Sequence, residues 1–167
     1  MTHTPDHTTD HTEDRKKVAE LIKKFRFAMF TTKDAHGKLV SRPLTVQEAE
    51  FDGDLWFLVP KSSAPAAEAS GHAQANVALS SDDAWVSLSG TAHVYDDRSK
   101  IDQLWNPALD AWFPDGPEDP DIGVLKFTAE SAEYWDSPGK IATALRFLTA
   151  KVSDKPADAG ENRKVDL

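Results

Sequence analysis

Between residues 26 and 136 the chain divides into short apolar segments, and most of them are joined by turns too short for a crossover helix. The segments are RFAMFTT (26–32), KLVSRPLTVQEAEF (38–51), LWFLV (55–59), NVALSS (76–81), WVSLSGTAHVYD (85–96) and IGVLKFTAESAEYWD (122–136). KDAHG (33–37) ends in glycine, and FDGD (51–54) carries the Asp-Gly signal of a tight hairpin. Strands joined this way run antiparallel. Successive hairpins tend to curl into a small barrel with helices over its open ends. The expected fold is therefore mainly β, a six-stranded antiparallel barrel with peripheral helices.

Helical spacing of Val18, Leu21, Ile22 and Phe25 predicts a leading helix. SSAPAAEASG (62–71) and RSKIDQLW (98–105) predict two more. Asn106 and Pro107 fit the N-cap and first position of another short helix, and Ile141, Ala144, Leu145 and Leu148 mark a closing one. With 167 residues, 40% of them hydrophobic, this is one domain's worth of core. We place that domain at 13–152, between polar segments 1–12 and 153–167 that read as disordered tails. His3, His7 and His11 recur every four residues in the first tail, but Pro5 and the threonines favour a solvated segment over a metal-binding helix face.

Net charge of −9 argues against nucleic acid or an anionic membrane as partner, since both reward clustered Lys and Arg. With no cysteine, disulfides, thiolate metal sites and thiol nucleophiles are excluded. No run approaches the ~20 apolar residues of a membrane span, and the polar N-terminus does not read as a signal peptide, so a cytoplasmic location is expected. Phosphate-binding glycine loops, HExxH and GxSxG are all missing. His93 falls on the more polar face of its strand and reads as a surface histidine. The acidic stretch PDGPEDPD lacks the alternating ligands of a calcium loop and reads as solvated.

LVSRPLTV (39–46) is different. On a strand, Val40, Arg42, Leu44 and Val46 share a face, so an arginine stands among core residues. An unpaired buried guanidinium is too costly to persist. It must reach solvent, a carboxylate or a bound anion, and its planar fork suits phosphate. Pro43 beside it favours a sheet edge or bulge. In PKSSAP (60–65), Lys61, Ser62 and Ser63 stand where a strand gives way to a helix. Free N–H groups and hydroxyls there suit an anion, or a plain helix cap. Trp105, Leu109, Trp112 and Phe113 form an apolar stripe that suits core packing, a planar ligand or a partner subunit.

Together, FAMFTT (27–32), SRPLTVQ (41–47), DLWFLV (54–59), VSLSGTAHVYDD (86–97), LWNP (104–107), AWFPDGPEDPD (111–121) and AEYWDSP (132–138) carry a resemblance. The chain resembles the pyridoxamine 5′-phosphate oxidase-like flavin-binding split barrels, in their general stress protein branch. The resemblance implies a six-stranded split barrel, a homodimer, and FMN in a cleft at the dimer interface, with FAD or a deazaflavin as alternatives. It implies that Arg42, flanked by Ser41 and Pro43, contacts the flavin phosphate. Ser63 joins it, with Lys61 and Ser62 nearby, and Trp112 and Phe113 border the flavin from the neighbouring subunit. It names no catalytic residue. Val59 stands where many relatives have threonine, and Pro65 where they have a phosphate-contacting lysine. The implied function is flavin binding with flavin-dependent oxidoreductase chemistry. The rivals are a deazaflavin-dependent reductase and a non-catalytic cofactor-binding or structural stress protein.

Overall fold

The computed structural model describes residues 7–47, 50–70, 73–137 and 161–167. The expected strands form as β1 (Phe27–Lys33), β2 (Leu39–Thr45, shorter than the expected 38–51), β3 (Asp54–Pro60), β4 (Ala73–Ser80), β5 (Ala84–Tyr95) and β6 (Ile122–Asp136). They pair antiparallel throughout, in the order β2-β1-β4-β5-β6-β3. Two turns depend on glycine: Gly37 has φ 77° and Gly53 φ 114°, backbone conformations that a side chain disfavours. The end strands β2 and β3 touch without being ladder partners, so the antiparallel sheet stays open along that seam.

Strand alternation fills the interior. Phe30 of β1, Val77 of β4, Leu88 of β5, Phe57 of β3 and Phe127 of β6 are fully buried in one cluster. Val18, Leu21 and Ile22 of α1 (His7–Ile22) add to it. A smaller cluster lies outside the sheet. There Leu58, Ile122 and Val124 meet Ile101 and Leu104 of the helix Arg98–Leu104, with Leu109 and Phe113. Leu109 belongs to a 3-10 turn, Pro107–Ala111, that begins as its sequence dictates. Asn106 Oδ1 accepts from the Ala108 N–H at 3.1 Å, and Pro107 takes the first turn.

The expected tails are corrected. α1 begins at His7, inside the segment expected to be disordered. Within 153–167, Glu161–Asp166 forms a seventh strand, β7, on the second half of β6. β3 pairs only with the first half of β6, which leaves a free edge of N–H and C=O groups for β7 to satisfy. Val165 is then buried at 2% exposure, the Tyr134 hydroxyl donates to Glu161 at 3.1 Å, and the Arg15 guanidinium donates to the Asp166 carbonyl at 3.4 Å. The closing helix expected around Ile141 and Leu148 falls outside the described residues.

Candidate functional site

Arg42 lies on β2 opposite Phe30. Alternation puts it on the face of Leu44, which packs on the core, so the guanidinium enters a largely apolar layer. Two groups receive it. Arg42 Nη1 donates to Glu68 Oε2 at 2.7 Å and to Thr32 Oγ1 at 2.9 Å, and Nη2 reaches Glu68 Oε1 at 3.4 Å. The Thr32 hydroxyl donates in turn to Glu68 Oε2. Glu68 ends α2 (Ala64–Glu68), and Thr32 is buried on β1. The Arg42 guanidinium, with the Thr32 hydroxyl second, holds the Glu68 carboxyl below its ordinary value. Each charge is largely buried and satisfied by the other, which removes the cost of burying either alone. Of the groups the chain itself offers Arg42, the carboxylate of Glu68 is the charged partner it meets.

The neighbouring candidates also hold partners. Ser41 Oγ and Thr31 Oγ1 share a cross-strand hydrogen bond of 2.7 Å. Lys61 Nζ lies 3.0 Å from Asp96, and its hydrogen bond pulls that carboxyl below its ordinary value. Asp121 accepts from both the Ser62 amide, at 3.0 Å, and the Ser62 hydroxyl, at 2.7 Å. Ser63 stands at the N-cap of α2, but its hydroxyl donates backward to the Pro60 carbonyl at 2.6 Å.

A cavity of about 360 Å³ opens along the seam between β2 and β3. Pro43, Leu44 and Thr45 form one wall, and Leu58, Val59 and Pro60 the other. Ser63 and Pro65 close one side; Leu109, Trp112 and Phe113 close another, with Phe27 and Gln47 completing the lining. Trp112 is 65% exposed, so it stands at the rim, whereas Phe113 is buried. Pro43, an end-strand proline, costs the sheet little at this position. Buried Gln47 donates to the Thr45 carbonyl at 3.2 Å and accepts from Asn106 at 3.5 Å, which ties the exit of β2 to the 3-10 turn.

Of the sequence candidates, the fold gathers Pro43, Ser63, Trp112 and Phe113 around this cavity, all within one chain. Ser41, Arg42, Lys61 and Ser62 do not line it. Val59 and Pro65, the two departures from the family pattern, do. Sequence reasoning missed Phe27, Gln47 and Leu58, whose apolar or polar character gave no special signal, whereas Leu109 belonged to the apolar stripe already singled out. It also missed Glu68, although Glu68 is the one charged residue in SSAPAAEASG. Among the described residues, no lining side chain is ionisable. Among the described residues there is no cluster of three potential metal ligands, and no helix is long and apolar enough to cross a membrane.

Comparison with known proteins matches residues 13–158 to the family described as pyridoxamine 5′-phosphate oxidase like. Protein bli-3 of Neurospora crassa is 31% identical over 156 residues, covering 84% of this chain and 73% of that protein. A crystal structure from Jannaschia sp. CCS1, described as a general stress protein 26, superposes with a TM-score of 0.77 at 29% identity. That match covers 96% of this chain and 100% of the other. The general stress FMN/FAD binding protein of Xanthomonas citri superposes with a TM-score of 0.67, also at 29% identity, over 77% of this chain and 92% of its own.

Proposed function

The chain belongs to the pyridoxamine 5′-phosphate oxidase-like family, and on that premise we propose that it is a stress-related protein that binds a flavin, FMN or FAD, in the cavity between β2 and β3. The observation that carries this reading is the cavity itself. At about 360 Å³ it falls in the range of small-molecule sites, ~300–1,000 Å³, and its walls are mainly apolar, as a flat aromatic ring requires. Trp112 at the rim offers an indole to such a ring. Ser63 and Gln47 supply polar atoms, while Arg42 and Lys61, next to lining residues in the chain, are held by Glu68 and Asp96. Similarity to the FMN/FAD binding protein of Xanthomonas citri supports the same reading.

A bound flavin would supply electron or hydride transfer, and the protein would supply binding and exclusion of water. Among the described residues no ionisable group lines the cavity, so none of them is assigned general acid–base work there. A second copy of the chain is the partner we propose. Phe27, Met29, Trp85 and Trp135 are exposed large apolar residues on the outer face of β1, β5 and β6, and the register sets Trp85 opposite Trp135. Apolar area of this kind suits an interface.

The test is the visible spectrum of purified protein before and after FMN or FAD is added, followed by titration of tryptophan fluorescence. Saturable quenching with a flavin spectrum retained after gel filtration is expected. A colourless protein that quenches with neither flavin overturns the reading. Light scattering at micromolar concentration should report twice the chain mass.

A further inference from the structure

A phosphate held where a strand gives way to a helix needs free N–H groups, hydroxyls or cations. The turn beside the cavity spends its own within the chain. The Lys61 N–H donates to the Asp121 carbonyl at 2.6 Å, the Ser62 N–H to Asp121 Oδ1 at 3.0 Å and the Ser63 N–H to the Pro60 carbonyl at 3.0 Å. Both hydroxyls are engaged as well, Ser62 with Asp121 Oδ2 and Ser63 with the Pro60 carbonyl. The cavity-lining Pro43, Pro60 and Pro65 have no N–H to give. Lys61 and Arg42 stand against Asp96 and Glu68.

The polar atoms of the lining are neutral. A primary amide has two N–H donors and an oxygen with two lone pairs. Buried Gln47 gives one N–H to the Thr45 carbonyl and one lone pair to Asn106, so a donor and an acceptor remain to it. β2 and β3 are not ladder partners, and their seam edges carry backbone N–H and C=O groups in alternation. A flavin ring has a matching edge, where carbonyls alternate with an N–H, and the rest of the ring suits the apolar walls. Resting on the flavin reading, we propose that the cavity recognises its ligand by the uncharged ring and not by a phosphate, with Gln47 as the specificity-determining residue that reads the polar edge. The ligand class is then the flavin ring system whatever its tail carries, and riboflavin is as good a ligand as FMN.

The experiment titrates the full chain with riboflavin and with FMN by tryptophan fluorescence, for wild type, Ser63→Ala and Gln47→Leu, with thermal melts to confirm folding. The two wild-type dissociation constants should agree within about threefold, whereas a charge-assisted phosphate contact would separate them by roughly 10- to 150-fold. Millimolar inorganic phosphate should not displace FMN. Ser63→Ala should leave the FMN-to-riboflavin ratio where it is, and Gln47→Leu should weaken both flavins alike, on the order of tenfold. FMN binding tenfold or more tighter than riboflavin, displacement by phosphate, or a Ser63→Ala variant that weakens FMN alone would each overturn the proposal and leave the flavin reading standing. Undiminished binding by a folded Gln47→Leu would overturn the role given to Gln47. If neither flavin binds the wild type, the flavin reading itself falls, and this proposal with it.

Discussion

Arg42 and Glu68, 26 residues apart in the chain, meet in a two-point ion pair, with Nη1 2.7 Å from Oε2 and Nη2 3.4 Å from Oε1. Strand alternation forces Arg42 onto a core face, and α2 returns a carboxylate to meet it. The pair therefore satisfies a charge that strand alternation turns inward.

Its pH dependence follows from the sign of the Glu68 shift. The folded-state pKa is lowered from 4.5, so the native state holds the proton less readily than the unfolded chain. The stabilisation is present above about pH 4.5 and is lost as pH falls through the lowered value. Thermal melts between pH 3 and 7 should show the wild type losing its advantage over Glu68→Gln in that acid window. A constant gap between the two curves would mean the pair does not persist in solution.

β7 should matter to stability. Removing residues 161–167 exposes the edge of β6, uncovers the Tyr134 hydroxyl and removes Val165 from the core. Burial of one valine contributes about 1.5–2 kcal/mol, and each hydrogen bond about 1 kcal/mol net. Urea denaturation should report a loss of about 2–4 kcal/mol. An unchanged midpoint would show that the strand is not seated on β6.

Gly90 tests the bend of the long β5–β6 ladder. The register shifts between Ser89 and Gly90, and a Cβ added at Gly90 would lie 2.0 Å from the Thr128 carbonyl oxygen. That neighbour is backbone and cannot rotate away. Gly90→Ala should destabilise the protein by about 2 kcal/mol or more, the scale of overpacking in a tight core, read as a fall in the urea midpoint.

Local chemistry made much of the fold legible. Gly37 and Gly53 announced turns that need positive φ, and Asn106-Pro107 announced the start of the 3-10 turn. Alternation in β2 also raised the right question about Arg42. Glu68 as its partner in the chain was not legible, because no spacing in the sequence places the end of α2 beside β2. β7 was hidden for another reason. ENRKVD has one apolar residue that becomes buried, Val165, so no pattern marks it; the free edge of β6 makes it a strand. The cavity was half legible for a similar reason: Pro43, Ser63, Trp112 and Phe113 stood out as types, while Phe27 and Leu58 became lining residues only through the seam between β2 and β3.

Pro65 offers the last test, since it lines the cavity where relatives are expected to present a lysine. Proline brings neither a charge nor an N–H. With Arg42 held by Glu68 and Lys61 by Asp96, the wild-type cavity faces a phosphate with no unpaired cation among these neighbours. Pro65→Lys adds one. If the ammonium reaches the phosphate, a charge-assisted hydrogen bond contributes about 1.5–3 kcal/mol, or roughly 10- to 150-fold in affinity. If it pairs instead with Glu68, three residues along α2, it releases Arg42 and the site still gains one net positive charge. Either way FMN should bind at least tenfold tighter, riboflavin should not change, and the gain should shrink as salt is raised because exposed charge pairs are screened within about 8–10 Å. The measurement is fluorescence quenching by FMN and riboflavin at two salt concentrations. If FMN binds no tighter at low salt, the ligand's phosphate does not approach the start of α2, and Lys61 becomes the better candidate to hold it.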